Sequence, residues 1–253
     1  MSRSGTRTIV EAALALALAL GAAAGVAAPE SSAMADGEQG PAVQETAAAA
    51  PSALPPTLED RVFQVFLDDR EVGSHVYRFE GTPEDFHVES SADFEVKIAF
   101  VTVFSYEHEA REHWVDGCMV SLASDTDTKE DFRVRAERSP GGFAVDAGDG
   151  GQTYDVDCPW GFAYWNPAMR DRSRLINAQD GRLLDVACSE LAPRPLSVGG
   201  RSVRANAWSL TGEKLELTLY YDQQDRWIGL DSAVQGGRTL RYRPHPSDPF
   251  YPG

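Results

Sequence analysis

From Phe63 to Tyr242 the chain repeats one pattern: apolar and polar residues alternate, and each run ends at a turn signal. Side chains two apart share a face of an extended strand, so runs of this kind become half-buried strands. A long succession of them favours one antiparallel sheet. Phe63, Val65 and Leu67 open the series and stop at Asp68-Asp69-Arg70-Glu71. Gly73 leads into His75 to Phe79, Gly81-Thr82-Pro83 reverses the chain, and Phe86 to Ser90 and Phe94 to Ile98 keep the period. A longer run, Val101 to Val115, ends at Asp116-Gly117, a pair suited to tight hairpin turns because both residues tolerate positive φ. Cys118 to Ser124, Phe132 to Ala136 and Phe143 to Val145 follow, with turns at Asp125 to Thr128 and Pro140 to Gly142. Strands resume near Arg182 to Val186, Arg204 to Leu210, Lys214 to Tyr221, Arg226 to Ala233 and Arg238 to Arg243, the last two joined through Gln235-Gly236-Gly237. The expected fold is mainly β: a single strongly curved antiparallel sheet or open barrel of roughly 10–12 strands, with one short helix at Ala168 to Ile176.

The period breaks between Asp155 and Asp180. Pro159 to Pro167 holds Trp160, Phe162, Tyr164 and Trp165 in an irregular stretch, and Asn177 to Gly181 reads as a turn. Two readings of the aromatics stand side by side. They plug one end of the sheet as core, because aromatic side chains carry the largest apolar area. Or they wall a binding mouth, with Asn166 and Asn177 as the polar groups that orient a ligand.

Ahead of the β region, Arg3 and Arg7 precede an apolar run from Val10 to Leu20, and small residues continue to Ala28. This is the layout of a secretory signal peptide over residues 1–28, with a run too short for a comfortable membrane span. Glu11 leaves a retained anchor helix as the alternative. Cysteine first occurs at Cys118, which excludes a lipid-modified cysteine at the cleavage point. Pro29 to Thr57 is rich in Ala, Pro, Ser, Gly and Glu, and reads as a disordered tether. Residues 58–244 form the β-rich domain, and 245–253, with its prolines, an irregular tail. The expectation is a protein that works in the periplasm or is secreted, without stable membrane insertion once the signal is removed.

Of the formal charge of −16, −13 falls on residues 58–253. Such a surface repels phosphates, so nucleic acid and anionic membranes are poor partners. An exported location also argues against nucleotide cofactors, and no cofactor is expected. Nothing in the chain sets an oligomeric state.

Three cysteines, Cys118, Cys158 and Cys188, allow one disulfide with one thiol left over. Cys158 with Cys188 is the expected pair, because both flank the irregular segment. The alternative is three buried thiols. His108 and His113 enclose a stretch that resembles a zinc-protease motif, but their spacing of five puts them on opposite faces of a strand. They and His75 and His87 read as exposed strand histidines, and no metal site is expected. Asp125, Asp127 and Glu130 lack the glycine and glutamate of a calcium loop and read as a polar turn. No nucleophile elbow, Ser-x-x-Lys pair or phosphate-cradling loop occurs, so no catalytic residue is named.

The start Phe63-x-Val65-x-Leu67-Asp68-x-x-x-x-Gly73-x-His75, the block Tyr106-x-His108 to Glu112-x-Trp114, and Tyr164-Trp165-Asn166 with Leu175-Ile176-Asn177-x-Gln179-x-Gly181 form one set of motifs. Tyr220-Tyr221-Asp222-x-x-x-Arg226-Trp227-x-Gly229-Leu230 and Gly236-Gly237-Arg238-x-Leu240-x-Tyr242 complete it. Together they resemble an uncharacterised family of exported bacterial proteins, a domain of unknown function, across nearly all of Leu58 to Pro244. The resemblance implies no activity. More distantly, the strand succession is similar to the curved-sheet periplasmic lipoprotein-carrier fold, whose concave face implies room for an acyl chain.

The expected function is a non-enzymatic periplasmic binding or accessory protein for a small apolar or amphipathic ligand. The alternatives are an enzyme acting on envelope glycan or lipid through paired carboxylates, and a structural partner in an envelope complex.

Overall fold

The computed structural model describes residues 58–98, 101–128, 130–148, 150–234 and 237–252. The expected signal peptide, the tether and most of the Gln235-Gly236-Gly237 turn lie outside them. The described residues form fourteen strands in one sheet, more than the 10–12 expected. Eight lie before the irregular segment: β1 (Arg61–Leu67), β2 (Arg70–Thr82), β3 (Asp85–Ile98), β4 (Val101–Val115), β5 (Cys118–Asp127), β6 (Asp131–Ser139), β7 (Gly142–Asp146) and β8 (Gln152–Tyr154). Six lie after it: β9 (Arg174–Ile176), β10 (Leu183–Val198), β11 (Arg201–Gly212), β12 (Leu215–Tyr221), β13 (Trp227–Val234) and β14 (Arg238–Pro244). The surplus over expectation comes mostly from the three-residue strands β8 and β9, too short to show a period.

The spatial order is β8-β7-β6-β5-β4-β3-β2-β1-β14-β13-β12-β11-β10-β9, and each neighbouring pair of strands is antiparallel. Every step but one is a hairpin. The exception is β1 beside β14, where the first and last strands pair in the middle of the sheet, Val65 opposite Tyr242. The chain therefore walks from the centre to one edge, β8, and must then reach the other edge, β9, before it can walk back. The irregular segment makes that passage. The sheet curves, and its pairing slips by a residue at Val65/Phe66, Val96/Lys97, His113/Trp114 and Tyr220/Tyr221. Such bulges bend strands and raise their twist.

Alternation decides the core as the pattern predicts. Phe63, Val65 and Leu67 face inward, and so do Leu217, Leu219 and Tyr221. The opposite face of β10–β13 carries a second, smaller cluster of Leu196, Val198, Ala205, Ala207, Tyr220 and Ile228, with Tyr251 of the tail packed on it.

Three local expectations are corrected. The helix at Ala168 to Ile176 is a single 3₁₀ turn, Pro167–Asp171. Asn166 starts it by accepting from the Ala168 amide at 3.0 Å, but Arg172 is already extended, and Arg174–Ile176 pairs with β10 instead. Asp125 to Asp127 belong to β5, not to a turn. There the Asp125 carboxylate accepts from Arg133 at 2.6 Å and Arg135 at 2.9 Å on β6.

The expected Cys158–Cys188 disulfide is also corrected: Cys118 and Cys158 are bonded, and Cys188 is a free thiol. Asp116 and Gly117, with φ of 48° and 75°, turn β4 into β5 and set Cys118 at its start. The passing segment docks there, with the Met119 amide donating to the Pro159 carbonyl at 3.1 Å. Cys188 lies on β10 opposite Leu210. Shared proximity to the irregular segment in sequence did not become proximity in space.

Candidate ligand-binding site

The segment from Asp155 to Ser173 crosses the concave face and touches both wings of the sheet. Trp165 packs edge-on against Phe79, Phe86 and Trp114 at ring distances of 5.1, 5.9 and 5.5 Å, on β2, β3 and β4. Tyr164 meets Trp227 of β13 at 5.4 Å, and its carbonyl accepts from the Tyr221 hydroxyl of β12 at 3.0 Å. Arg170 closes the far end, paired with Asp225 at 2.6 Å and stacked over Trp208 and Tyr221.

The aromatics and asparagines of the segment do not share one role in the packing. Trp160 is core: it is 1 % exposed, stands edge-on to Trp114 at 5.0 Å and lies under the Arg172 guanidinium. Asn166 is likewise structural, as the cap of the 3₁₀ turn. Phe162, Tyr164, Trp165 and Asn177 line a cavity of about 120 Å³ between the segment and the sheet, and Tyr164 and Trp165 are at the same time buried members of the core. Its other walls are His75 and Tyr77 of β2, Ser90 of β3, Tyr106, His108 and Glu112 of β4, Gln179, Tyr242 of β14, and the β11–β12 turn with Glu213 and Lys214.

Here two histidines depart from expectation. His75 and His108 are buried, 6 % and 8 % exposed, because their inward faces are those of Tyr77 and of Tyr106. His75 meets the Ser90 hydroxyl at 2.6 Å through Nε2, and His108 the Thr126 hydroxyl at 2.7 Å through Nδ1. Burial lowers their pKa values to about 3 and about 4, so both are neutral near pH 7. His87 and His113 do lie on the outer face, stacked at 4.2 Å.

Glu112 was not singled out in the sequence. Its Oε2 accepts from the Trp114 indole at 2.7 Å, and burial raises its pKa to about 7 against that hydrogen bond. The signal was present: Glu107, Glu109, Arg111 and His113 claim the outer face of β4, which leaves Tyr106, His108, Ala110, Glu112 and Trp114 for the inner one. Burial also pushes the phenols of Tyr77, Tyr106, Tyr164 and Tyr242 upward, so they stay neutral donors.

The Asn177 turn holds the cavity's lower wall. The Asn177 side chain accepts from the Gln179 amide at 3.1 Å, and Ser124 donates to the Ala178 carbonyl. Gly181 ends the turn at φ 73°, and a Cβ there would stand 2.7 Å from Cγ1 of Val145. Gly181→Ala therefore meets both a left-handed backbone and a collision, and should cost about 1–3 kcal/mol in urea unfolding.

Among the described residues no group of three or more His, Cys, Asp or Glu is arranged to hold a metal ion. No helix among them is long and apolar enough to cross a membrane.

A family model described as Domain of unknown function (DUF6134) matches residues 63–245. Among solved structures, the chain is similar to a crystal structure of a beta-barrel-like protein of the domain of unknown function DUF1849 from Brucella abortus. The TM-score is 0.53 at 9% sequence identity, over 76% of this chain and 96% of that one. That likeness concerns the fold alone. No curated protein matches the chain.

Proposed function

The chain belongs to the DUF6134 family, a domain of unknown function, and from that premise we propose that it is a binding or accessory protein of the bacterial periplasm, holding a small apolar or amphipathic ligand. The observation that carries the reading is the cavity under the crossing segment. Its walls are largely aromatic and apolar, with a few converging polar groups, which is the usual make-up of a ligand site. A dry cavity of about 150 Å³ accommodates benzene, so about 120 Å³ suits one ring or a short chain rather than a long acyl tail.

Two further points support it. The Cys118–Cys158 bond fits an oxidising compartment, as does the expected signal peptide. The lining also favours binding over glycoside hydrolysis, which needs two facing carboxyl groups. Only Glu112 and Glu213 are acids among the lining residues, and Glu213 sits exposed at the rim beside Arg182, 3.6 Å away.

Native mass spectrometry of protein purified from the envelope of its own cells, without detergent, tests the reading. The expected result is a chain beginning near Ala28 that carries a small-molecule adduct lost on denaturation. A mass equal to the bare chain, unchanged by small aromatic probes, would overturn it.

A further inference from the structure

Glu112 is a carboxylate set in an aromatic cavity without a cationic partner: among the described residues no lysine or arginine pairs with it, and its hydrogen bond comes from the neutral Trp114 indole. Glu112 is partly buried, and a charge set that far into an aromatic wall is costly unless something neutralises it. We propose that the ligand of this cavity is a small organic ammonium ion, its charge set against the Glu112 carboxylate and its hydrocarbon part against Phe162, Tyr164 and Trp165. This rests on the cavity being a binding site and adds the chemical class of what it takes.

The groups facing Glu112 leave no competing cation inside. From β2 come His75 and Tyr77, from β4 Tyr106 and His108, from the crossing segment Tyr164, and from β14 Tyr242. The histidines are neutral near pH 7 because burial lowers their pKa values to about 3 and about 4, and burial keeps the four phenols protonated. At the rim the exposed Lys214 stands beside Glu213, whose own partner is Arg182. The interior thus passes from neutral to a single negative charge as Glu112 ionises, near pH 7. Aromatic faces attract cations through their ring quadrupole, which adds to that charge. The surplus of acidic residues over the folded region raises the local concentration of cations in the same direction.

Benzylammonium and benzyl alcohol, alike in shape and different in charge, are titrated into the full chain by calorimetry at several pH values. Benzylammonium should bind more tightly as pH rises through the Glu112 pKa, by about tenfold in all, and level off on either side of it. Benzyl alcohol should show no such rise. In Glu112→Gln the benzylammonium profile should be flat and binding at the plateau weaker by about tenfold, with benzyl alcohol still bound as a check that the cavity is intact. If the variant does not fold, the two wild-type profiles still decide. Alcohol binding together with benzylammonium that is weaker, indifferent to pH or indifferent to Glu112→Gln overturns the ammonium ligand and leaves the cavity reading standing. If neither probe enters, both readings fall.

Discussion

Cys118→Ser is expected to lower the unfolding free energy by about 4 kcal/mol, and dithiothreitol to lower the melting temperature of the unaltered chain by about 10 °C. The bond closes a loop of 40 residues, and tying two points that far apart removes much of the freedom of the unfolded chain. That loop runs from the start of β5 through β6, β7 and β8 into the crossing segment. One covalent link therefore ties the start of β5, inside that wing, to the segment that crosses the sheet. Cys158→Ser should match Cys118→Ser, since either leaves the other thiol unpaired. Cys188→Ser should shift stability by less than about 1 kcal/mol, because the free thiol is only half buried on β10. Differential scanning calorimetry of the three variants, with and without reductant, makes the comparison. If Cys158→Ser and Cys188→Ser were equally destabilising and Cys118→Ser silent, the pairing would be wrong.

The disulfide marks where the sequence stopped being legible. Alternation is a local property: Phe63, Val65 and Leu67 announce both a strand and its inward face without knowledge of any partner. Asp116-Gly117 likewise names its own turn. The neighbours of Cys158 are set differently, by where a segment leaving β8 enters the concave face on its way to β9. That depends on the order of all fourteen strands, and no short stretch encodes it.

The site was half legible for the same reason. The aromatic cluster was visible as a break in the pattern, and Phe162, Tyr164, Trp165 and Asn177 do line the cavity. Trp160 and Asn166 are the same residue types in the same stretch, yet one packs on Trp114 and the other caps a turn. Composition cannot separate them. His75 and His108 escape the sequence reading for a different reason: it places strand histidines in solvent, and it gives Glu112, quoted only within a motif, no position. The charged residues between Glu107 and His113 already occupied that face, so the pattern itself required polar groups inside.

A second large effect is expected at the tail. Asp248→Ala should destabilise the fold by about 3–5 kcal/mol, although it lies beyond the last strand. Arg61, 3 % exposed at the start of β1, donates from Nε to Asp248 at 3.0 Å, and from a terminal nitrogen to the Trp227 carbonyl at 2.6 Å. Asp248 also accepts from the amides of Val62 at 2.8 Å and Phe250 at 2.9 Å. Removing the carboxylate leaves a buried guanidinium and takes the acceptor from two amides. Burial already pulls the Arg61 pKa below its ordinary value against the pull of Asp248, so the loss falls on a group with little access to water. The tail is irregular, as its prolines imply, yet it is docked: the His245 amide donates to the Val62 carbonyl at 2.8 Å, and Phe250 stacks under Arg61. The expected comparison is a double-mutant cycle in urea. Arg61→Met with Asp248→Leu should be less destabilised than Asp248→Ala alone, because the pair then leaves no charge stranded. A loss below about 1 kcal/mol in Asp248→Ala would place the tail off the sheet in solution and Arg61 in water.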